Sequence, residues 1–311
     1  VETPSPPAVL VYGTICLDIF EAVDAAGEPL PNAPVRVLPG GEAFNTATAV
    51  AGWNVPVALT GTALGSDPEA DTLRALLDDP AVGLPRTLIP DIAGATTPVC
   101  TIRVFPDGEK RMSGRGFKNA VAPPPLASTL LAARPIVAVD PNLGRAAVQA
   151  ALDAARAGCP VVAMDCEHEP EIVSACRLLV TSREWLQRHY RTTLSTEDAS
   201  RLAEQTVREG GAPTAIVTLG EDGCVVADRI EGSFAVPAVP VTDVVDTTGA
   251  GDTFRAGLCY GLLQNWPLRR TVHFAAAAAA LHCTVWGGGS RFPLQRVLDL
   301  AFAPDAEPQS G

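Results

Sequence analysis

The sequence predicts an α/β protein with a mostly parallel sheet covered on both faces. Apolar runs of strand length, such as 9–12, 135–140 and 160–165, alternate with segments of helical length through most of the 311 residues. That rhythm belongs to parallel strands joined by helical crossovers. The second observation is an interruption. An alternating run at 99–105, the turn signal PDGE and the segment KRMSGRG read as a hairpin set into the α/β rhythm.

Residues 9–12 open the first strand, closed by Gly13, and ICLDIF continues extended with Asp18 among apolar neighbours. Pro29, Pro31 and Pro34 break the chain before a short strand, VRVL at 35–38. Gly40 and Gly41 turn it into EAFNTATAVAGW, a helix pattern with small residues on one face. VALTGTALG reads as strand and loop, and SDPEADTLRALLDD as a helix capped by Ser66 or Asp67, with acids in its first turn. After the hairpin come a strand at 135–140, a helix at 145–157 and a strand at 160–165. CRLLVTS is a strand ending at a polar tip, REWLQRHY starts a helix, and 200–209 is helical. TAIVTLG at 214–220 is a strand running into a glycine turn, and GCVVAD with GSFAVPA forms a hairpin. TFRAGLCYGLL and RTVHFAAAAAALHCTV are helices, and VLDLAFAPDAEPQSG ends in a frayed tail.

Composition bounds the function. Hydrophobic residues are 47% and charged residues 19%, enough for a core and unlike a disordered chain. The length allows one large domain or two modest ones. Net charge is −12, which argues against a nucleic-acid partner. A small anion is still accommodated wherever backbone N–H groups form a nest. Eight cysteines form no C-x-x-C and read as buried free thiols in a reducing compartment. The four histidines have no metal-ligand spacing, and His282 reads as packed or partly exposed. No leader pattern opens the chain, and the small-apolar run 275–281 is too short to span a bilayer. The expectation is a cytoplasmic protein without a membrane partner.

Chemistry concentrates in DTTGAGDTF at 246–254. Gly249, Ala250 and Gly251 lie between an apolar run and a helix, where small residues bring unpaired N–H groups close to an anion. Asp252 then falls in the first turn. A carboxylate beside an anion makes a poor anion ligand but a reasonable base for a hydroxyl attacking it. The same spacing also fits two capping acids around glycines that only turn the chain, and spacing alone leaves both readings open. The stretch is neither GxxxxGK[ST] nor GxGxxG.

DTTGAGDTF resembles the C-terminal signature of the ribokinase family of sugar kinases, also called the PfkB family. GGEAFNTATAVAGW resembles its GGxxxN segment, GTICLDIF its early substrate aspartate, VTLGEDG at 217–223 its nucleotide-side loop, and VAVDPN at 137–142 another recurrent segment. They follow family order across nearly the whole chain.

The resemblance implies a ribokinase-like three-layer sandwich: a single catalytic domain over 1–311, with lid segments at about 20–38 and 99–115. It implies transfer of the γ-phosphate of ATP to a hydroxyl of a sugar or sugar-like molecule. By resemblance Asp252 is the catalytic base and Gly249, Ala250 and Gly251 the anion hole. Asp18, Gly40, Gly41 and Asn45 fall on the substrate pocket, and Thr218, Gly220 and Gly223 on the nucleotide edge. Glu184 matches the glutamate that helps place Mg2+ through water, but the asparagine of that N-x-x-E motif is Thr181 here. Asp246 and Thr248, with the turn after Cys283, match part of a monovalent-cation site that would suit K+.

The family also implies a homodimer through the lid, with Cys100, Ile102, Val104 and Phe105 at the contact or over the pocket. Lys110, Arg111, Arg115 and Lys118 stand near the lid exit, to meet an acidic sugar, to close over ATP or to face solvent. A nucleoside kinase is the alternative enzyme, and few aromatics near the N-terminal motifs argue against it. A silent sugar- or nucleotide-binding regulator is the alternative of another class, kept open by Thr181.

Overall fold

The computed structural model describes residues 6–106, 110–289 and 291–302. Its elements are β1 (Val9–Gly13), β2 (Cys16–Ala22), β3 (Arg36–Gly40), α1 (Glu42–Gly52), β4 (Val57–Gly61), α2 (Pro68–Leu77), β5 (Val99–Val104) and β6 (Lys110–Arg115). Then come α3 (Ser128–Leu131), β7 (Ile136–Val139), α4 (Arg145–Arg156), β8 (Val161–Met164), α5 (Pro170–Ala175), β9 (Leu178–Ser182), α6 (Arg183–Tyr190) and α7 (Thr196–Gln205). The chain continues through β10 (Thr214–Thr218), β11 (Cys224–Asp228), β12 (Gly232–Val236), α8 (Ala250–Leu263), α9 (Leu268–His282) and α10 (Leu294–Phe302).

The large sheet has the order β12-β11-β10-β9-β8-β7-β1-β4. The pairs from β4 to β10 are parallel, and β11 and β12 add an antiparallel edge. Alternation along the strands divides the core. Val9, Val11 and Ala138 pack with residues of α1, α8 and α9, while Leu10, Tyr12, Val137 and Val139 pack with α4 and α5. Both faces are therefore covered, which is why these strands read as unbroken apolar runs. The fold is the expected α/β three-layer sandwich.

A second sheet, β3-β2-β5-β6, forms the lid. The hairpin expected at 99–115 supplies β5 and β6, although residues 107–109 of its turn signal lie outside the described residues. The lid begins earlier than 20. Strand β2 starts at Cys16 because it pairs on both sides, with β3 antiparallel and β5 parallel, so Asp18 stands on a lid strand.

One helix expectation needs correction. Helix α7 starts at Thr196, before 200, because Ser195 and Asp198 form a reciprocal capping box. Helix α10 buries Val297 and Ala301 against the core, and the frayed tail expected beyond it, 303–311, lies outside the described residues. The short helices α3 and α5 were not expected. All eight cysteines are free thiols, six of them buried. Among the described residues no helix is long and apolar enough to cross a membrane.

Candidate active site

The carboxyl ends of the parallel strands collect acids. Asp140 follows β7 and Asp165 follows β8. The chain leaves β1 toward β4 on one side and later fills β7 through β10 on the other, so the β1/β7 boundary is the topological switch point where such sheets bind ligands. Asp140 closes that boundary: Thr14 donates to it from its N–H at 2.7 Å and from its hydroxyl at 3.2 Å. Asp165 accepts the Ser182 N–H at 2.9 Å.

Helix α8 points its N-terminus at this edge. Gly249 precedes it with φ +83, and a Cβ there would stand 2.6 Å from the Gly288 Cα. A Cβ on Gly288 would in turn overlap the Asn45 amide. Glycine at both places lets the turn before α8, the 283–289 loop and α1 meet.

Asp252 lies in the first turn of α8, 5% exposed. Asn45 donates its amide to Asp252 Oδ2 at 2.9 Å. Asp252 Oδ1 has no hydrogen-bond partner and lies 3.6 Å from the Arg255 guanidinium. Burial pushes the Asp252 carboxyl up to about 7; Arg255 and Asn45 pull against that shift, and Asp140 and Asp165 add to it. A carboxyl poised there can hold or release a proton near neutral pH.

Arg255 is fully buried. It donates to the Thr46 hydroxyl from two nitrogens at 3.0 and 2.7 Å, to the Val139 carbonyl at 3.2 Å and to the Glu42 carbonyl at 2.8 Å. This one side chain ties α8 to α1 and β7. Its signal in the sequence is a lone cation inside the apolar TFRAGLCYGLL.

The residues expected to line the substrate pocket converge on the same place. Asp18 is buried, accepts the Cys16 thiol at 3.2 Å and faces Gly40, where any Cβ would overlap its carboxylate. Burial pushes Asp18 up to about 6, Cys16 opposes this, and Asp246 raises it further. Gly41 has φ +94, and a Cβ there would overlap the Thr14 carbonyl, so glycine is needed where β3 becomes α1. Asn45, expected to meet substrate, also holds Asp252.

Thr218, Gly220 and Gly223 stand apart from this cluster. Thr218 ends β10 opposite Ser182 of β9. Strand β10 is three strands from β7, about 14 Å across the sheet. Gly220 has φ +66 and Gly223 φ +87. The hairpin itself requires Gly223, because a Cβ would overlap the Val236 carbonyl.

Glu184 points outward, its carboxylate 3.8 Å from Arg188 on the exposed face of α6. Thr181 turns instead to a partner absent from the sequence reading, donating its hydroxyl to Glu167 Oε2 at 3.3 Å. Burial pushes Glu167 up to about 7, and its Oε1 has no partner. The buried orphan carboxylate oxygen of Glu167 suits a hard divalent cation. Among the described residues no group of three His, Cys, Asp or Glu side chains could hold a metal alone. The residues therefore fit Mg2+ arriving with nucleotide phosphates, not a protein cage.

A monovalent ion fits less well. Asp246 Oδ1 accepts the Thr248 N–H at 2.8 Å and the Lys110 ammonium, and Oδ2 accepts the Gly287 N–H at 3.0 Å. His282 Nε2 lies 2.6 Å from the Thr248 carbonyl, so His282 is buried with a specific partner. Of the other lid-exit cations, Arg115 pairs with Glu69 at 2.6 Å and Arg111 lies 4.4 Å over the Phe105 ring.

Residues 7–294 match the family model described as pfkB family carbohydrate kinase. The chain belongs to the PfkB family of carbohydrate kinases. Ribokinase of Arabidopsis thaliana is 26% identical over 307 residues, covering 94% of this chain and 80% of that protein. The structure of that ribokinase complexed with ribose and ATP superposes with a TM-score of 0.79 at 23% identity, over 95% of this chain and 98% of the other. A Thermotoga maritima ribokinase superposes with a TM-score of 0.73 at 22% identity, over 94% and 99%. The structural likeness establishes the fold, and family membership makes this an ATP-dependent kinase of the PfkB type.

Proposed function

We propose that this PfkB kinase transfers the γ-phosphoryl group of ATP to a hydroxyl of a sugar or sugar-like polyol, with Asp252 as the general base. One observation carries the reading. Asp252 is a buried carboxylate in the first turn of α8, fixed through one oxygen by Asn45 and with its other oxygen unpartnered. An acceptor hydroxyl hydrogen-bonded to Oδ1 would pass its proton there as it attacks phosphorus. The N–H groups of Gly249 and Gly251 at the helix start would receive the charge developing on the transferred group, joined by the Ala250 N–H only if it leaves the Thr247 carbonyl, to which it donates at 3.2 Å.

Asp18 and Asn45 suit a polyol because each hydrogen-bonds hydroxyls, and a buried acid left unpaired rejects analogues lacking them. Thr218, Gly220 and Gly223 would line the nucleotide along the carboxyl edge of β10. Mg2+, when bound with ATP, neutralises phosphate charge. Glu167 with Thr181, and Glu184 through water, are the groups of this chain that would face it. The lid would exclude water, whose attack on ATP is the competing reaction. The homodimer through the lid is part of this proposal on family resemblance alone.

The test is ADP release with Mg2+ against pentoses, hexoses, keto-deoxy sugar acids, phosphorylated hexoses and nucleosides. A single acceptor class raising ADP release well above the acceptor-free rate is the expected result. ATP binding with no acceptor-dependent turnover across the panel would refute the proposal and favour a silent binder.

A further inference from the structure

Asp246 opens the turn that leads to the α8 N-terminus, and its surroundings already contain a cation. Its carboxylate carries one negative charge and is buried. That charge is met by the Lys110 ammonium, and the remaining lone pairs by the N–H groups of Thr248 and Gly287. Burial pushes the Asp246 carboxyl up, but Lys110 and these donors outweigh it and hold the group below the usual range.

The neighbouring carbonyls are engaged too. Burial lowers the His282 pKa, so the ring is neutral and its Nε2–H donates to the Thr248 carbonyl. The Cys283 carbonyl accepts the Val245 N–H at 2.7 Å and the Asp246 N–H at 3.1 Å. A free monovalent cation would find one carboxylate already neutralised and a fixed ammonium repelling it in a poorly solvated site.

Lys110 comes from the lid. It is the first residue of β6, the edge strand of the small sheet. Its ammonium lies 5.0 Å over the Trp286 ring, which Arg36 of β3 approaches at 5.4 Å and Phe20 of β2 meets edge-on at 6.4 Å. Three lid strands thus converge on the loop that supplies Gly287 and Gly288, and Lys110 passes beyond Trp286 to the Asp246 turn.

We propose that Lys110 is a tethered substitute for a monovalent cation: the lid supplies the ammonium that fixes the Asp246–Gly249 turn, so this kinase needs no K+. The inference rests on the kinase reading only for its activity arm. Lys110 is a positioning residue acting through Asp246 on the N–H groups of the anion hole.

The experiment compares the intact chain and Lys110→Met in tetramethylammonium, K+ and NH4+ buffers of equal ionic strength. Melting temperature is read on the free protein, and acceptor-dependent ADP release on both. Wild-type protein should melt and turn over equally in all three. Lys110→Met should lose up to about hundredfold in kcat in tetramethylammonium, the low end of what removing a direct electrostatic donor costs, because Lys110 acts through Asp246. K+ or NH4+ should restore most of that loss and raise its melting temperature selectively.

A K+-dependent rise in wild-type activity or melting temperature overturns the proposal without any variant. So does a folded Lys110→Met that is equally active in all buffers, or impaired but rescued by neither ion, which would make Lys110 only a lid latch. If no acceptor is turned over, the melting arm still decides the cation question, and the kinase reading fails separately.

Discussion

Replacing Asp252 by Asn should give a protein that is more stable and nearly inactive. The buried Asp252 carboxyl has its pKa raised from 3.8 to about 7. At about 1.4 kcal/mol per pH unit, that shift of roughly three units corresponds to an upper bound of about 4 kcal/mol. The sign follows from which state holds the proton. Below pH about 4 the carboxyl is protonated folded and unfolded, and the cost is absent. Between about 4 and 7 the unfolded chain ionises first, so stability falls as pH rises, and above 7 the full cost persists. Asparagine keeps the shape, can still accept the Asn45 amide, and does not titrate. Asp252→Asn should therefore melt about 5–10 °C above wild type at pH 8 and close to it near pH 4, given about 2–4 °C per kcal/mol in a large domain. Turnover should fall about 10²- to 10⁴-fold, the usual worth of a positioned base. Calorimetric melts at both pH values, with coupled ADP release at pH 8, read both effects. A variant that melts below wild type at pH 8, or keeps turnover within about tenfold, would refute the reasoning.

Three further outcomes follow from the same geometry. The kcat/KM of wild type should rise with pH, reach half its plateau near pH 7 and stay flat above, if the ionised form of Asp252 is the base as proposed; a profile falling from pH 6 to 8 would contradict it. Arg255→Met should cost about 3–5 kcal/mol in denaturant titrations, since it strands buried carboxylates and the Val139 and Glu42 carbonyls. Its surviving activity should need a higher pH, with the Asp252 carboxyl freed from the cation that restrains it. Gly249→Ala should cost about 1–3 kcal/mol and depress kcat more than KM, because a side chain at φ +83 is strained and its Cβ meets Gly288; an unchanged melting curve and kcat would show that the turn tolerates both.

Much of this site was legible because it is local. The run 249–252 carries small residues, an incipient helix and an acid within four positions, so its chemistry can be argued without tertiary structure. The buried strands were legible for a similar reason: Val137 and Val139 face one helix layer and Ala138 the other, which leaves no polar side to the run. What could not be read is contact across distance. Asn45 reaches Asp252 over 207 positions, and Lys110 reaches Asp246 over 136. Lys110 looked like one of four similar cations near a turn, and only the fold turns it inward while Arg111 and Arg115 take other partners. Glu167 was similarly hidden, an acid in CEHEP whose role depends on β9 bringing Thr181 beside it. The start of α7 differs from 200 for another reason: it is set by the local capping signal STED, whose Ser195 and Asp198 cap each other, ahead of the apolar periodicity.

The most direct measurement is 31P NMR of wild type and Asp252→Asn incubated with ATP, Mg2+ and the acceptor found in the panel. The account predicts that wild type converts the γ-phosphate resonance into a phosphomonoester of the acceptor. Asp252→Asn should leave ATP almost unchanged over the same time. Equal phosphomonoester formation by both proteins, or inorganic phosphate as the only product of wild type, would contradict it.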